Sequence, residues 1–240
     1  MLPIRDTLPT RSRPSVNYLL IAINVAVFGL EVAGALAPVG PDATLLPGAL
    51  VPGQLLADPA HQAITLLTHM FLHGGLAHIG GNMLFLWIFG DNVEDALGHG
   101  RYAAFYLCCG LAAAAAQIAA GPHSTVPMIG ASGAISGVLA AYVRLYPRSP
   151  IAVINPIPIL WFFWGLFLWL PAWFVIIEWF AVNLWSAFQP SSGSSGVAFM
   201  AHVGGFASGL ILLPLLRTRE RVAYQRWNHA LPARRPPDRD

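Results

Sequence analysis

Six stretches of the sequence run apolar with few interruptions, at residues 16–36, 77–91, 101–120, 131–146, 166–188 and 197–216. A helix that crosses about 30 Å of hydrocarbon at about 1.5 Å per residue needs about 20 mostly apolar residues, so each stretch predicts a transmembrane helix. The second and fourth are short and rich in glycine, which predicts helices that tilt or begin below the membrane surface. The first follows Arg5, Arg11 and Arg13, as a signal peptide would, but its apolar run is too long for an h-region and predicts an anchor that stays. The apolar stretch 151–169 is interrupted by Pro156 and Pro158 and reads as a membrane-embedded connection into the fifth helix. The long outer segment at 38–63 predicts interfacial structure, and the tail from 228, with Pro232, Pro236 and Pro237 among arginines, predicts disorder. The expected fold is an all-α membrane protein, a bundle of six transmembrane helices. Residues 1–15 form a cytoplasmic N-terminal segment, 16–217 the membrane domain and 218–240 a cytoplasmic basic tail.

Composition supports lipid as the solvent. Of the 240 residues 56% are hydrophobic and 10% charged, with a mean hydropathy of +0.60, where a soluble domain carries about a quarter charged residues. A disordered chain is excluded on the same ground, and a net charge of +2 gives no reason to expect nucleic acid as a partner. Cys108 and Cys109 are adjacent within an apolar run, unsuited to a disulfide framework or to zinc, and read as small packing residues. All 13 basic residues are arginine, and with the N-terminus inside every one falls in an inward-facing segment. The outer segments 37–76, 121–130 and 189–196 hold no arginine and only Asp42 and Asp58 as acids. Both termini are therefore expected to be cytoplasmic. The short extensions suggest a multi-pass protein of a bacterial inner (plasma) membrane.

Polar side chains inside a span are costly and tend to mark function. Three clusters stand out. The first, Thr68 to Asn82, enters the second helix with His69, His73, His78 and Asn82; His78 and Asn82 lie four apart, on one helix face, and offer two donors to one point. The second, Gly130-Ala131-Ser132-Gly133-Ala134-Ile135-Ser136-Gly137, opens the fourth helix, where free backbone N–H groups and the positive end of the helix dipole suit an oxyanion. The third, Ala201-His202-Val203-Gly204-Gly205-Phe206-Ala207-Ser208-Gly209, lies in the sixth helix. Gly133 and Gly137, and likewise Gly205 and Gly209, form small-xxx-small faces for close helix approach. Packing on those faces would bring the Ser132 hydroxyl to a ring nitrogen of His202, the minimum for nucleophilic catalysis. His202 would serve as general base toward Ser132 and general acid toward the leaving amine. Glu178 is the only carboxylate deep in the later spans and nothing ties it to His202, so the reading is a Ser-His dyad.

Other roles compete for these residues. Ser132 in a small-residue helix can be packing alone. Ser136, one turn deeper, is the rival nucleophile but lacks the free amides of the helix start. His69 and His73 have a metal-ligand spacing if they share a helix; with no carboxylate or cysteine near to complete the shell, neither a metal nor any cofactor is expected. His61, His99, His123 and His229 fall at loops or edges and read as solvated. The tryptophans of the fifth region read as lipid-facing and interfacial. The soluble hydrolase elbow Gly-x-Ser-x-Gly is excluded because residue 134 is alanine. No transporter-type internal repeat is visible, which disfavours a histidine-lined proton path.

With these residues in view, the chain resembles the rhomboid intramembrane serine proteases over nearly its whole length. Gly130-Ala131-Ser132-Gly133 matches the family's Gly-x-Ser-Gly and Ala201-His202-Val203-Gly204-Gly205 its Ala-His-x-x-Gly. The resemblance implies Ser132 as nucleophile, His202 as base, and His78 and Asn82 with the Ser132 N–H as oxyanion hole. It implies structural roles for His69, His73 and the Glu94-x-x-x-Gly98 turn, and a lateral gate in the fifth helix. The Trp-Arg pair that many members carry in the first outer loop is absent, Ile64-Thr65 standing there. The expected activity is that of a serine endopeptidase with its site a few residues below the outer surface, the loop 189–196 as a cap, and single-pass membrane proteins as substrates. Those substrates would carry helix-weakening residues near the outer face and, as the family implies, small residues at the cleavage point. A rhomboid-like pseudoprotease that binds transmembrane helices without cutting them is the alternative.

Overall fold

The computed structural model describes residues 1–34, 47–158, 161, 165–187 and 199–217. The N-terminal strand β1 (Pro3–Arg5) precedes helix α1 (Ser15–Val32), and three short helices come next in the first outer segment: α2 (Pro52–Ala57), α3 (Pro59–Gln62) and α4 (Thr65–Thr68). Pro52 and Pro59 each stand in a first turn, where a missing N–H costs nothing. Helices α5 (Leu76–Phe85) and α6 (Asp91–Leu97) are joined by a wide π turn at Leu86–Gly90; α7 (His99–Ala120) and α8 (Ser132–Leu145) come after them. Strands β2 (Pro150–Ile154) and β3 (Phe167–Pro171) lead into α9 (Ala172–Ala187), and α10 (Phe199–Leu216) ends the described chain.

The protein is mostly helical, and among the described residues three helices are long and apolar enough to cross a membrane: Ser15–Val32, His99–Ala120 and Phe199–Leu216. Two shorter apolar helices, Ser132–Leu145 and the part of α9 at Ala172–Val182, accompany them. Few residues of α1 are buried, Asn17, Leu20 and Asn24 among them, and Leu19, Val25 and Leu30 are exposed, the pattern of a helix whose outer solvent is lipid.

Two expectations are corrected. The fold is not purely α: β1, β2 and β3 form an antiparallel sheet in that order. Within the stretch 151–169 the chain forms most of β2 and the start of β3 rather than leading straight into helix, and the fifth helix starts at Ala172 instead of 166. Strand β2 pairs along its length with β3, Pro150 opposite Pro171 and Ile154 opposite Phe167, while β1 covers its other edge. β-branched and aromatic residues around the Pro-rich turn favour this arrangement over helix.

The second helical segment also runs past its expected end at Asp91 to Leu97, through Glu94 and Asp95. These charges are tolerated in the interior because the N-terminal part of the chain supplies partners. Glu94 is 1% exposed and accepts hydrogen bonds from the Val16 and Asn17 N–H groups at 3.0 and 2.7 Å, satisfying free donors at the start of α1. Asp95 receives Ser12 Oγ at 3.1 Å and pairs with Arg11 at 3.3 Å. His99, expected to be solvated, bonds the same Glu94 carboxylate through Nδ1. At the π turn the Leu86 carbonyl accepts from buried Asn17 Nδ2 at 2.9 Å; Asn17 Oδ1 in turn accepts from Tyr102 at 2.8 Å.

Helices α7, α8 and α10 form the tightest contact. A Cβ built on Gly205 would collide with the Gly133 carbonyl oxygen, and one on Gly209 would lie 2.7 Å from Gly137 Cα. On the other side of α8, a Cβ on Gly133 would stand 2.6 Å from Ala113 Cβ. The backbones of α8 and α10 therefore touch along the two glycine faces, with α7 closing the third side.

Two stability measurements test the polar contacts that anchor the N-terminal part of the chain. Glu94→Ala leaves the start of α1 without its acceptors and is expected to cost about 3 kcal/mol in thermal or denaturant unfolding in detergent; an unchanged midpoint would show that these bonds carry no stability. Burial pushes the Asp6 carboxyl up from 3.8 to about 6, against the lowering pull of the Tyr142 hydroxyl bonded to it at 2.7 Å. The folded state then holds the proton more tightly than the unfolded state, so this contribution is largest below pH 3.8 and falls as pH rises to about 6. Asp6→Asn is expected to flatten the stability profile between those limits, and an identical slope in the variant would contradict the assignment.

Candidate active site

Ser132 is the first residue of α8 and His202 lies in the first turn of α10. The glycine contact of those helices sets them face to face: His202 Nε2 is 2.8 Å from Ser132 Oγ. His202 is 5% exposed, and its Nδ1 has no hydrogen-bond partner among the described residues. Glu178, the carboxylate weighed as a third member, instead bonds the N-terminal amine of Met1 at 2.9 Å. The ring of His202 is covered by Trp179 of α9 at 5.6 Å between centroids, and Trp179 meets Phe85 of α5 at the same separation. Ser136 is fully buried and donates its hydroxyl to the Ser132 carbonyl at 2.8 Å, a local bond that occupies the rival nucleophile.

His78 and Asn82 lie on α5 and converge on Gly130, two residues before the serine. A Cβ on Gly130 would be 2.7 Å from His78 Nε2 and 3.7 Å from Asn82 Nδ2. Gly130 has φ +112°, which also favours glycine. His78 Nδ1 accepts from the Gly74 N–H at 3.3 Å, so the neutral ring carries its proton on Nε2, the nitrogen facing Gly130. Asn82 is buried, and its Nδ2 has no acceptor among the described residues. Two donors, His78 Nε2–H and Asn82 Nδ2–H, thus stand beside the segment that leads into Ser132.

The segment 50–69 holds that segment in place. Gly130 N–H donates to the His69 carbonyl at 2.8 Å, and the His69 ring donates from Nδ1 to the Thr65 carbonyl at 2.7 Å. Leu50 and Met128 form an antiparallel bridge, and Gly53 N–H reaches the Ser124 carbonyl at 2.9 Å. His73 takes its backbone partner from Glu31 of α1 at 3.1 Å, and its ring packs edge-on against His78 at 5.1 Å. His69 and His73 do not share a helix: a 3₁₀ turn (His69–Phe71) ends at Leu72 in extended conformation, which removes the helical premise of their metal spacing. At the site of the absent Trp-Arg pair, Ile64 is exposed and Thr65 is buried with its hydroxyl on the Gln62 carbonyl at 2.7 Å. The loop 189–196 and His229 lie outside the described residues.

Three contributors were missed at the level of sequence. Gln117 of α7 accepts from the Ala201 N–H at 3.3 Å, capping the first turn of α10 next to His202. Its signal was a lone amide in an alanine run. Trp179 was assigned to lipid with the other tryptophans, and Glu31 was overlooked as a carboxylate within the first span.

Residues 60–219 match the Rhomboid domain family. The chain is 36% identical over 140 residues to Rhomboid protease GluP of Bacillus subtilis (strain 168), covering 57% of this chain and 26% of that protein. It is 29% identical over 203 residues to Rhomboid protein 1, mitochondrial, of Saccharomyces cerevisiae, covering 81% and 51%. It is 33% identical over 104 residues to the human Presenilin-associated rhomboid-like protein, mitochondrial, covering 41% and 27%. The chain thus spans between about a quarter and half the length of these curated relatives. With the family matched across the segment that carries Ser132, His202, His78 and Asn82, this chain belongs to the rhomboid family of integral membrane proteins.

Proposed function

We propose that the protein is an intramembrane serine endopeptidase that cleaves transmembrane segments of single-pass membrane proteins with a Ser132–His202 dyad. The observation that carries the reading is the 2.8 Å contact between the Ser132 hydroxyl and His202 Nε2, two side chains 70 residues apart in sequence, with Asn82 Nδ2 left without a partner among the described residues. His202 Nε2 takes the hydroxyl proton as Ser132 Oγ bonds to the scissile carbonyl carbon; the carbonyl oxygen becomes an oxyanion. The Ser132 N–H, His78 Nε2–H and Asn82 Nδ2–H donate to that oxygen. His202 then returns the proton to the leaving amine as the C–N bond breaks, and water deprotonated by the same ring releases the acyl group.

The six-span bundle at 16–217 is the catalytic unit of this reading, with 1–15 and 218–240 on the cytoplasmic side by the arginine distribution. Helix α8, with 14 residues, is about 21 Å long, shorter than the hydrocarbon it crosses, so its serine sits below the outer surface. A peptide bond there is shielded by helical hydrogen bonds and by the lack of water. Substrates with residues that weaken the helix near the outer face meet this constraint. Their way in is between α5 and α9, where the Phe85–Trp179 contact lies beside His202. The family relatives include a bacterial protein, mitochondrial proteins and a plant protein, and the membrane assigned here is no narrower than that range.

With a single-pass model substrate in detergent, Ser132→Ala and His202→Ala are each expected to lower cleavage by about 10³-fold or more. Cleavage that survives both would end the dyad proposal, and a wild type that captures the substrate without cutting it would favour the pseudoprotease. Asn82→Ala is expected to lower kcat by about 10²-fold with little change in KM, the mark of a group engaged in the transition state. A rise in KM alone would reassign Asn82 to substrate binding. Gly130→Ala forces a Cβ against His78 Nε2 and is expected to cut the rate at least tenfold, whereas Gly80→Ala, which has open space around it, leaves the rate unchanged; equal effects would remove Gly130 from the account.

A further inference from the structure

A cleft of about 740 Å³ lies away from Ser132, between the end of α8, the turn into β2 and the first turn of α9. Leu8, Leu145, Pro147 and Trp173 give it apolar walls, with Arg148 and Ser149 alongside. Leu145 is the last residue of α8 and Trp173 the second of α9, so the cleft stands where two apolar helices meet the membrane interface. The arginine distribution puts this interface on the cytoplasmic side. Trp173 is 45% exposed although it lines the cleft, and Arg148 is exposed with no ion pair among the described residues.

The stretch of chain that leads on from the cleft is apolar as well. Residues 149–177 contain no charged side chain, and Ile157, Trp161, Phe167 and Trp169 of this stretch are exposed. Such a surface is unfavourable in water and suits the headgroup–acyl boundary, where tryptophan accumulates. An apolar slot with one unpaired guanidinium at its mouth calls for an amphiphile with an anionic head. Arginine is well matched to a phosphate, and alkyl chains fill apolar walls. A free phosphate would satisfy Arg148 but leave the walls uncovered.

We infer that this cleft is a binding site for an anionic glycerophospholipid of the cytoplasmic leaflet, its phosphate on Arg148 and an acyl chain between Leu145 and Trp173. The site is coupled to the base of α9. Ala172 N–H donates to the Ser149 carbonyl at 2.9 Å and Trp173 N–H to the Pro147 carbonyl at 3.0 Å, so cleft wall and helix start move together. Bound lipid would therefore steady the helix that carries Trp179 over His202. The inference rests on the orientation of the chain in the membrane and not on the dyad.

Native mass spectrometry of the full chain in detergent tests it, with phosphatidylglycerol, phosphatidylcholine and inorganic phosphate as probes. Phosphatidylglycerol is expected to bind at least tenfold more tightly than phosphatidylcholine. That preference is expected to vanish in Arg148→Gln, to persist in Arg148→Lys and Arg144→Gln, and to be unaffected by Ser132→Ala, which separates lipid binding from catalysis. Leu145→Trp, which fills the slot, is expected to weaken phosphatidylglycerol tenfold in a chain whose melting temperature is unchanged. Equal binding of the two lipids, a preference that survives Arg148→Gln, or displacement of phosphatidylglycerol by equimolar inorganic phosphate would each overturn the inference.

Discussion

The direct contact between the backbones of α8 and α10 is the constraint on which the rest of the site depends. Side chains normally hold helix axes 8–10 Å apart, and glycine on both faces lets the backbones themselves touch. Here Gly133 and Gly137 face Gly205 and Gly209, and any Cβ at Gly205 would strike the opposing carbonyl. In lipid, where burial of apolar surface gives helices little reason to associate, such contact supplies dispersion energy that lipid tails cannot match. The 2.8 Å separation of Ser132 and His202 results from this contact. Gln117 on α7 fixes the end of α10 that bears the histidine, and the segment 50–69 fixes the loop that leads into the serine.

A second set of interactions closes the end of the bundle at the start of α1. Glu94 satisfies the start of α1, Asn17 donates to the Leu86 carbonyl at the π turn, and Asp6 joins Tyr142 and Asn92 at 2.7 and 2.9 Å. These groups come from stretches about 70 to 140 residues apart, so they fasten the first helix to the bundle in a medium where unpaired polar groups are costly. Polar chemistry is thus concentrated at the two ends of the molecule. One end is paired and structural, while at the other the Nδ2 of Asn82 is left without a partner among the described residues. Preorganised but unengaged donors are what a developing negative charge requires.

Much of this was legible in the sequence, for physical reasons that differ by residue. Hydrophobic runs mark lipid-facing helices, and costly polar residues within them stand out against that background; this is why Ser132, His202, His78 and Asn82 were visible. The spacing of glycines by four predicted the face on which α8 and α10 meet. The hairpin of β2 and β3 was not legible, because an uncharged apolar run looks alike as embedded helix or as a strand packed against protein. The continuation of the second helix to Leu97 was hidden by Glu94 and Asp95, whose partners lie about 80 residues earlier in the chain. Trp179 could not be told from its neighbouring tryptophans, since only the fold decides which one covers the histidine.

The central claim is that the glycine contact makes the Ser132 hydroxyl reactive by delivering it to the imidazole of His202. Covalent labelling by a fluorophosphonate, mapped by peptide mass spectrometry, reads that reactivity without need of a substrate. The account predicts a single adduct on Ser132 in the intact protein, lost in His202→Ala and in Gly205→Val, where the helices are forced apart. An adduct on Ser136 instead, or undiminished labelling of Ser132 in His202→Ala, would contradict it.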